Sequence, residues 1–116
     1  MLVADDHAAL RSAISDALRT HGYVVEEASD GRTALDLLRS GRPRVAVIDV
    51  RMPGIDGLQV CAQAARERLP SAMIVMSVVG DAETRRRVAE LGAAFHEKPF
   101  EVTSLLADVR RAWGAD

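Results

Sequence analysis

Short apolar segments alternate with amphipathic ones along the chain, and this alternation limits the possible folds more than any other feature of the sequence. The apolar segments are three to five residues long, as expected of short buried strands. Strict alternation of strands and helices requires parallel strands joined by right-handed crossovers, which predicts a three-layer α/β sandwich. The predicted strands are residues 2–4, 23–25, 45–48, 72–76 and 93–95.

The segments between the predicted strands carry apolar residues at helical spacing. Leu10, Ile14 and Leu18 are each separated by one turn of a helix and would form one buried stripe. Glycines follow three of the five helical segments, where a left-handed residue lets the chain turn into the next strand. These patterns predict five strands and five helices in a single domain that covers residues 1–116.

Composition narrows the range of functions. A length of 116 residues suits one globular core. The net charge of −2 and the pI near 5.9 argue against binding to nucleic acid or to an anionic membrane. The single cysteine, Cys61, cannot form an internal disulfide and is expected to be a buried, inert thiol. Because no signal peptide or membrane-spanning apolar run is present, we expect a cytoplasmic protein.

Polar side chains stand where the predicted strands end. Asp5 and Asp6 follow the first strand, Asp49 follows the third, Ser77 follows the fourth and Lys98 comes shortly after the fifth. Parallel strands of an open α/β sheet end at one edge, where ligands bind. Carboxylates brought together there would repel one another unless a cation lay among them, and Mg²⁺ prefers oxygen ligands. The pattern predicts a magnesium site.

The same edge offers the groups that phosphoryl transfer needs. The reaction depends on in-line positioning and on neutralisation of the charge on the phosphoryl oxygens. A lysine and a serine hydroxyl can both hold such oxygens, and an aspartate carboxylate can form an acyl phosphate. Asp49 is the central candidate for the nucleophile.

One stretch of the chain resembles the phosphoacceptor motif of response-regulator receiver domains: Asp49 to Gly57, with the sequence DVRMPGIDG. The acidic pair at 5–6, Ser77 and the Lys98-Pro99 dipeptide match the same family, so that the resemblance covers essentially the whole chain. It implies a flavodoxin-like fold, in which a doubly wound sheet of five parallel strands in the order 2-1-3-4-5 lies between five helices.

The resemblance also implies the metal ligands. It places the phosphoryl group on Asp49 and Mg²⁺ on the carboxylates of Asp5, Asp6 and Asp49. The backbone carbonyl of Arg51 would complete the ligands that the protein supplies. Mn²⁺ could substitute for Mg²⁺ because it also accepts oxygen ligands.

A second group of residues is implied to act as a switch. Lys98 would pair with a phosphoryl oxygen, and Ser77 would move to donate a hydrogen bond to another. Phe95 would then swing inward behind Ser77. The peptide bond between Lys98 and Pro99 is expected to be cis, an isomer that only bonds preceding proline adopt at modest cost.

The function implied by the resemblance is a phosphorylation-dependent signalling switch. Such a domain takes a phosphoryl group from a phosphohistidine of a sensor histidine kinase or a phosphotransfer protein, expected to dock near helix 1, and changes the face formed by helix 4, strand 5 and helix 5. It catalyses its own phosphorylation and dephosphorylation and is otherwise not an enzyme. Further partners would be an effector domain or downstream protein and, in a phosphorylation-linked homodimer, a second copy.

One departure from the family pattern supports an alternative. Val78 follows Ser77 where many members carry alanine, and a larger side chain there could restrict access to the phosphoryl group. The alternative function is a receiver-like docking or dimerisation module that is not phosphorylated.

Some polar residues also have a purely structural interpretation. Asp6 is as well suited to capping the first helix as to binding a metal, whereas Asp56 is predicted to cap the third helix and not to belong to the site. The arginines at 85–87 are expected on a solvated helix face, with a lesser chance of a role in partner binding. Val88 and Leu91 form the thinnest apolar stripe of any helix, so helix 4 is predicted to be the most mobile element.

Overall fold

Five strands alternate with five helices in the computed structural model, which describes residues 1–114. The strands are β1 (Leu2–Ala4), β2 (Glu26–Ala28), β3 (Val45–Asp49), β4 (Ala72–Ser77) and β5 (Ala94–Glu97). The helices are α1 (Ala8–Thr20), α2 (Gly31–Arg39), α3 (Gly57–Arg66), α4 (Ala82–Glu90) and α5 (Val102–Trp113). The predicted alternation of elements is confirmed.

All strand pairs are parallel, and the sheet has the order β2-β1-β3-β4-β5. This is the order that the resemblance implied. The register pairs Ala4 of β1 with Ile48 of β3, and each of these residues directly precedes an acidic residue, Asp5 or Asp49. The chain order reverses between β1 and β3, and the carboxyl ends of these two strands therefore lie side by side at the switch point of the sheet.

Two apolar cores lie on opposite faces of the sheet. Alternate residues of β3 point to opposite faces, so that Ile48 belongs to the core under α2, α3 and α4 while Val47 belongs to the core under α1 and α5. Helices thus cover both faces, and the flavodoxin-like three-layer sandwich is confirmed. Among residues 1–114, no helix combines the length and the apolar character that crossing a lipid bilayer would require.

The prediction for the second strand was wrong by three residues. The strand was predicted at 23–25, where the sequence is apolar, but it spans Glu26–Ala28. β2 is an edge strand, so its charged side chains can reach solvent and neighbouring cations; Glu27 pairs with Arg11 of α1 at 3.0 Å. The apolar residue Val24 is instead 83% exposed in the turn before the strand. The other four strands agree with the predicted bounds to within two residues.

Side chains that accept backbone hydrogen bonds cap the first four helices, and the caps of α3 and α1 test the predictions made for Asp56 and Asp6. Asp56 caps α3 as predicted, in a capping box in which Asp56 and Gln59 each accept from the other's backbone N–H at 2.8 Å. The cap of α1 is His7, whose Nδ1 accepts from the backbone of Leu10 at 3.2 Å. The capping interpretation of Asp6 was therefore wrong, and its exposed side chain remains available to the site.

Candidate functional site

The three predicted carboxylates come together at the ends of β1 and β3. Asp5 and Asp6 directly follow β1, and Asp49 is the last residue of β3. One carboxylate oxygen from each residue lies within 4.8 Å of the other two. Asp5 and Asp49 are 0% and 5% exposed, whereas Asp6 is exposed to solvent. The neighbouring positions of β1 and β3 thus produce an acidic cluster with one open side.

Lys98 reaches this cluster from the loop after β5. Its Nζ lies 2.9 Å from an oxygen of Asp49 and donates to an oxygen of Asp5 at 3.0 Å. The backbone N–H of Lys98 donates to the carbonyl of Ser77 at 2.7 Å, which ties this loop to the end of β4. The Lys98–Pro99 peptide bond is cis, the isomer that the resemblance implied. Lys98 therefore bridges the two buried carboxylates.

Burial and charge together set the protonation of the site. Burial raises the pKa of Asp49 above its ordinary value, and the negative charges of Asp5 and Asp6 raise it further, while Lys98 acts in the opposite direction. Burial alone would lower the pKa of Lys98, but its hydrogen bonds to Asp49 and Asp5 outweigh burial and the pKa is raised. One ammonium group faces three carboxylates, so the cluster keeps an excess of negative charge.

The donor set of the cluster fits a hard divalent cation. All three side chains offer carboxylate oxygens, which Mg²⁺ prefers, and the excess negative charge is the kind that such an ion balances. Asp5 is held in orientation because one of its oxygens accepts from the backbone N–H of His7 at 2.9 Å. Arg51, the predicted carbonyl ligand, lies two residues beyond Asp49 in the loop that leads to α3, with its side chain in solvent.

The two predicted switch residues lie on the neighbouring strands β4 and β5. Ser77 is the last residue of β4 and is 2% exposed; its Oγ accepts from the backbone N–H of Val79 at 3.0 Å. Within residues 1–114, the hydroxyl makes no hydrogen bond to the site carboxylates. Phe95 on β5 is half-buried, and the guanidinium of Arg85 lies 4.8 Å from its ring centroid. Arg85 had been interpreted as a solvated residue and this contact was not foreseen.

Gly57 supports the site through the close approach of two backbone segments. A Cβ atom on Gly57 would lie 2.2 Å from the carbonyl oxygen of Asp49, a distance that real structures do not tolerate. The backbone N–H of Gly57 also donates to the carbonyl of Val50 at 2.8 Å. The glycine that ends the DVRMPGIDG motif thus allows α3 to begin directly against the end of β3. Gly57 is part of the motif in the sequence, but no structural role had been predicted for it.

An apolar groove of about 380 Å³ lies beside the acidic cluster. Leu10, Ile14 and Phe100 are among its lining residues, and Lys98 stands between the groove and the cluster. Val78 also lines the groove and is 57% exposed. The departure from the family pattern at Val78 therefore adds apolar surface to this groove.

Comparison with curated proteins relates the whole domain to response regulators. The family model described as the response regulator receiver domain matches residues 1–110. Response regulator MprA of Mycolicibacterium vanbaalenii is 41% identical over 115 residues, which cover 95% of this chain and 48% of that protein. The chain therefore spans about half the length of the curated relatives that it matches.

Solved structures agree with this relation. The signal receiver domain of the response regulator NarL from Mycobacterium tuberculosis is 35% identical, with a TM-score of 0.88 over 98% of this chain and 95% of that chain. Response regulator protein TrrA of Thermotoga maritima, solved in complex with Mg²⁺ and BeF, is 26% identical, with a TM-score of 0.84 over 96% of each chain. On the combined match of sequence and fold, the chain belongs to the family of response regulator receiver domains of two-component systems.

Proposed function

We propose that residues 1–116 act as one receiver domain, a switch that accepts a phosphoryl group from a phosphohistidine onto Asp49 with the help of Mg²⁺. One observation carries this proposal. Lys98 holds the buried Asp49 and Asp5 carboxylates together at 2.9 and 3.0 Å, beside the exposed carboxylate of Asp6. Burial and the neighbouring carboxylates raise the pKa of Asp49, whereas the ammonium group of Lys98 favours its ionised form, which is the form that can act as a nucleophile.

The proposed transfer forms one P–O bond and breaks one P–N bond. A carboxylate oxygen of Asp49 attacks the phosphorus, and the electron pair of the P–N bond returns to the imidazole nitrogen of the donor, which takes up a proton. Lys98 then holds a phosphoryl oxygen in place of the Asp49 carboxylate, and Ser77 donates its hydroxyl to another. Hydrolysis of the acyl phosphate by water, catalysed by the domain itself, resets Asp49.

Mg²⁺ would be held by the carboxylates of Asp5, Asp6 and Asp49 and by the carbonyl of Arg51. When bound, it supplies positive charge that stabilises the phosphoryl oxygens during transfer, and Mn²⁺ would serve the same purpose. The donor set supports this assignment because it consists of oxygen atoms with an excess of negative charge.

The proposed output is a change in the face formed by α4, β5 and α5. A phosphoryl group shifts a two-state equilibrium only through contacts that differ between the states, here those with Ser77 and Lys98 and the inward movement of Phe95. A histidine kinase or phosphotransfer protein would dock near α1. The further partners would be an effector domain or downstream protein, or a second copy of the domain, in the cytoplasm.

Intact mass spectrometry after incubation with acetyl phosphate and Mg²⁺ tests this proposal. We expect a gain of one phosphoryl group, about 80 Da by the composition of the group, on the wild-type chain. The gain should disappear with EDTA and in Asp49→Asn, because the first removes the cation and the second removes the nucleophile.

Asp56→Asn is the matched control for Asp49→Asn. It makes the same chemical change seven residues away at a helix cap, where asparagine is also a good capping residue, and it should label like the wild type. Labelling of Asp49→Asn at the wild-type rate would refute Asp49 as the acceptor. Absence of any labelling, with a phosphohistidine donor failing as well, would favour the unphosphorylated docking module.

A further inference from the structure

Arg85 connects three segments of the chain around the switch residues. Its Nε donates to the carbonyl of Gly80 at 2.8 Å, its Nη2 pairs with Glu97 of β5 at 2.7 Å, and its guanidinium lies over the ring of Phe95 at 4.8 Å. We call Arg85, Gly80, Phe95 and Glu97 the Arg85 latch. The latch joins the first turn of α4 to the β4–α4 loop and to β5.

The β4–α4 loop fits closely under this ion pair. A Cβ atom on Gly80 would lie 2.0 Å from the Glu97 carboxylate and 3.0 Å from a guanidinium nitrogen of Arg85. Only a residue without a side chain lets the loop pass beneath the pair with these distances. A side chain at position 80 would displace the Glu97 carboxylate, so the Arg85–Glu97 ion pair in this geometry requires glycine in the loop.

The same loop controls the hydroxyl of Ser77. In the described conformation the backbone N–H of Val79 donates to Ser77 Oγ at 3.0 Å, and Val79 is the residue immediately before Gly80. Arg85 contacts both Gly80, which is next to Val79, and Phe95, the predicted partner of the Ser77 movement. Movement of either switch residue would thus disturb a contact of Arg85.

We infer that Arg85 is a positioning residue that holds the β4–α4 loop and Phe95 in the described conformation and opposes the movement of Ser77 and Phe95 on phosphorylation. This inference rests on the proposed function. The guanidinium cannot stay over the ring if Phe95 moves inward, and it cannot keep the Gly80 carbonyl if the loop follows Ser77. The contacts of the latch therefore differ between the two conformations, and such differences set the position of a conformational equilibrium.

Arg86 provides a natural comparison on the same helix. Its guanidinium pairs with Glu83 at 2.6 Å and with Glu90 at 2.8 Å, both within α4. These pairs stabilise the helix but reach no other element, so they do not depend on the loop or on β5. Loss of Arg86 should affect the stability of α4 without favouring either conformation.

Titration with beryllofluoride, a mimic of the phosphoryl group on aspartate, tests the inference. We would follow the amide signals of Val79 and Gly80 by NMR in the presence of Mg²⁺. In Arg85→Ala the concentration for half-saturation should fall about threefold to fivefold, since an exposed ion pair and a cation–π contact that oppose binding are lost. Arg85→Lys keeps the charge and should lie between Arg85→Ala and the wild type, while Arg86→Ala should match the wild type.

The direction of the change separates positioning from simple structural support. If Arg85 merely stabilised the fold, its loss would weaken beryllofluoride binding or leave it unchanged. The inference would be overturned if Arg85→Ala needed the same beryllofluoride concentration for half-saturation as the wild type, or a higher one. It would also be overturned if Arg86→Ala lowered that concentration as much as Arg85→Ala does.

Hydrogen exchange without beryllofluoride distinguishes failure of the latch from failure of the proposed function. The amide of Val79 should exchange about threefold to fivefold faster in Arg85→Ala than in the wild type or Arg86→Ala, because the loop is released. If the wild type failed to bind beryllofluoride, the proposed function would fail, while faster exchange would still support the restraint of the loop by Arg85. Equal exchange of Val79 in all three proteins would overturn that restraint.

Discussion

The central strands β1 and β3 are much more deeply buried than the region formed by α4 and β5. Every residue of β1 and β3 is buried, whereas no residue of β5 is, and Val88 is the buried residue of α4. The three acidic residues stand on the first region and the predicted readout face on the second. The acidic residues of the proposed site thus lie at the ends of fully buried strands, whereas the elements expected to move have few buried contacts that would resist movement.

Matched valine-to-alanine substitutions should give the largest difference between the two regions, measured as loss of the free energy of unfolding. Val47→Ala in β3 should lower the free energy of unfolding by about 2 kcal/mol, because it leaves a cavity at a fully buried position. Val79→Ala, in the loop before α4 and 36% exposed, should lower it by less than about 0.5 kcal/mol. Urea denaturation measures both, and equal losses would break the comparison.

Hydrogen exchange in the wild-type protein measures the same difference between buried and poorly buried elements without a mutation. Amides in the middle of α4 should exchange at least about tenfold faster than those of α1, since local opening of α4 exposes less apolar surface. α1 has Ile14 and Leu18 buried, whereas α4 has Val88. Protection of α4 equal to that of α1 would contradict the prediction that α4 is the most mobile helix.

Removal of helix caps should have the smallest effect. In α3 it should lower global stability, whereas in α4 it should cause local opening of the helix. Asp56→Ala removes the capping box of α3 and should cost about 1 kcal/mol of global stability. Asp81 caps α4 by accepting from Thr84 at 2.8 Å, and Asp81→Ala should instead appear as faster exchange within α4 with little change in the urea midpoint. A global loss in Asp81→Ala as large as that in Asp56→Ala would show that α4 does not open independently.

Local patterns predicted the order of the elements and the acidic cluster. The spacing of apolar residues and the glycines that follow helices are local features that a sequence shows directly. Carboxylates that follow parallel strands must lie at one edge of the sheet. The adjacency of β1 and β3, which brings Asp49 to Asp5 and Asp6, came from the resemblance. A sequence pattern alone does not determine which strands are neighbours.

Features that depend on tertiary position were missed. β2 was misplaced because an edge strand need not be apolar, and Glu26 and Glu27 find arginine partners beside it. Arg85 and Arg86 look alike in sequence, yet Arg85 alone of the two reaches Glu97, on a separate element. Spacing along the chain cannot show such a difference, because it arises only when β5 packs beside α4.

The contact between Lys98 and Asp5 can form only late in the synthesis of the chain. These two residues are 93 positions apart, so the contact closes nearly the whole chain. During synthesis, Asp5, Asp6 and Asp49 leave the ribosome long before Lys98, and the three carboxylates then have no lysine to join them. The complete cluster can form only after β5 has been made and added to the sheet, so a growing chain cannot carry out the proposed phosphoryl transfer before it has folded.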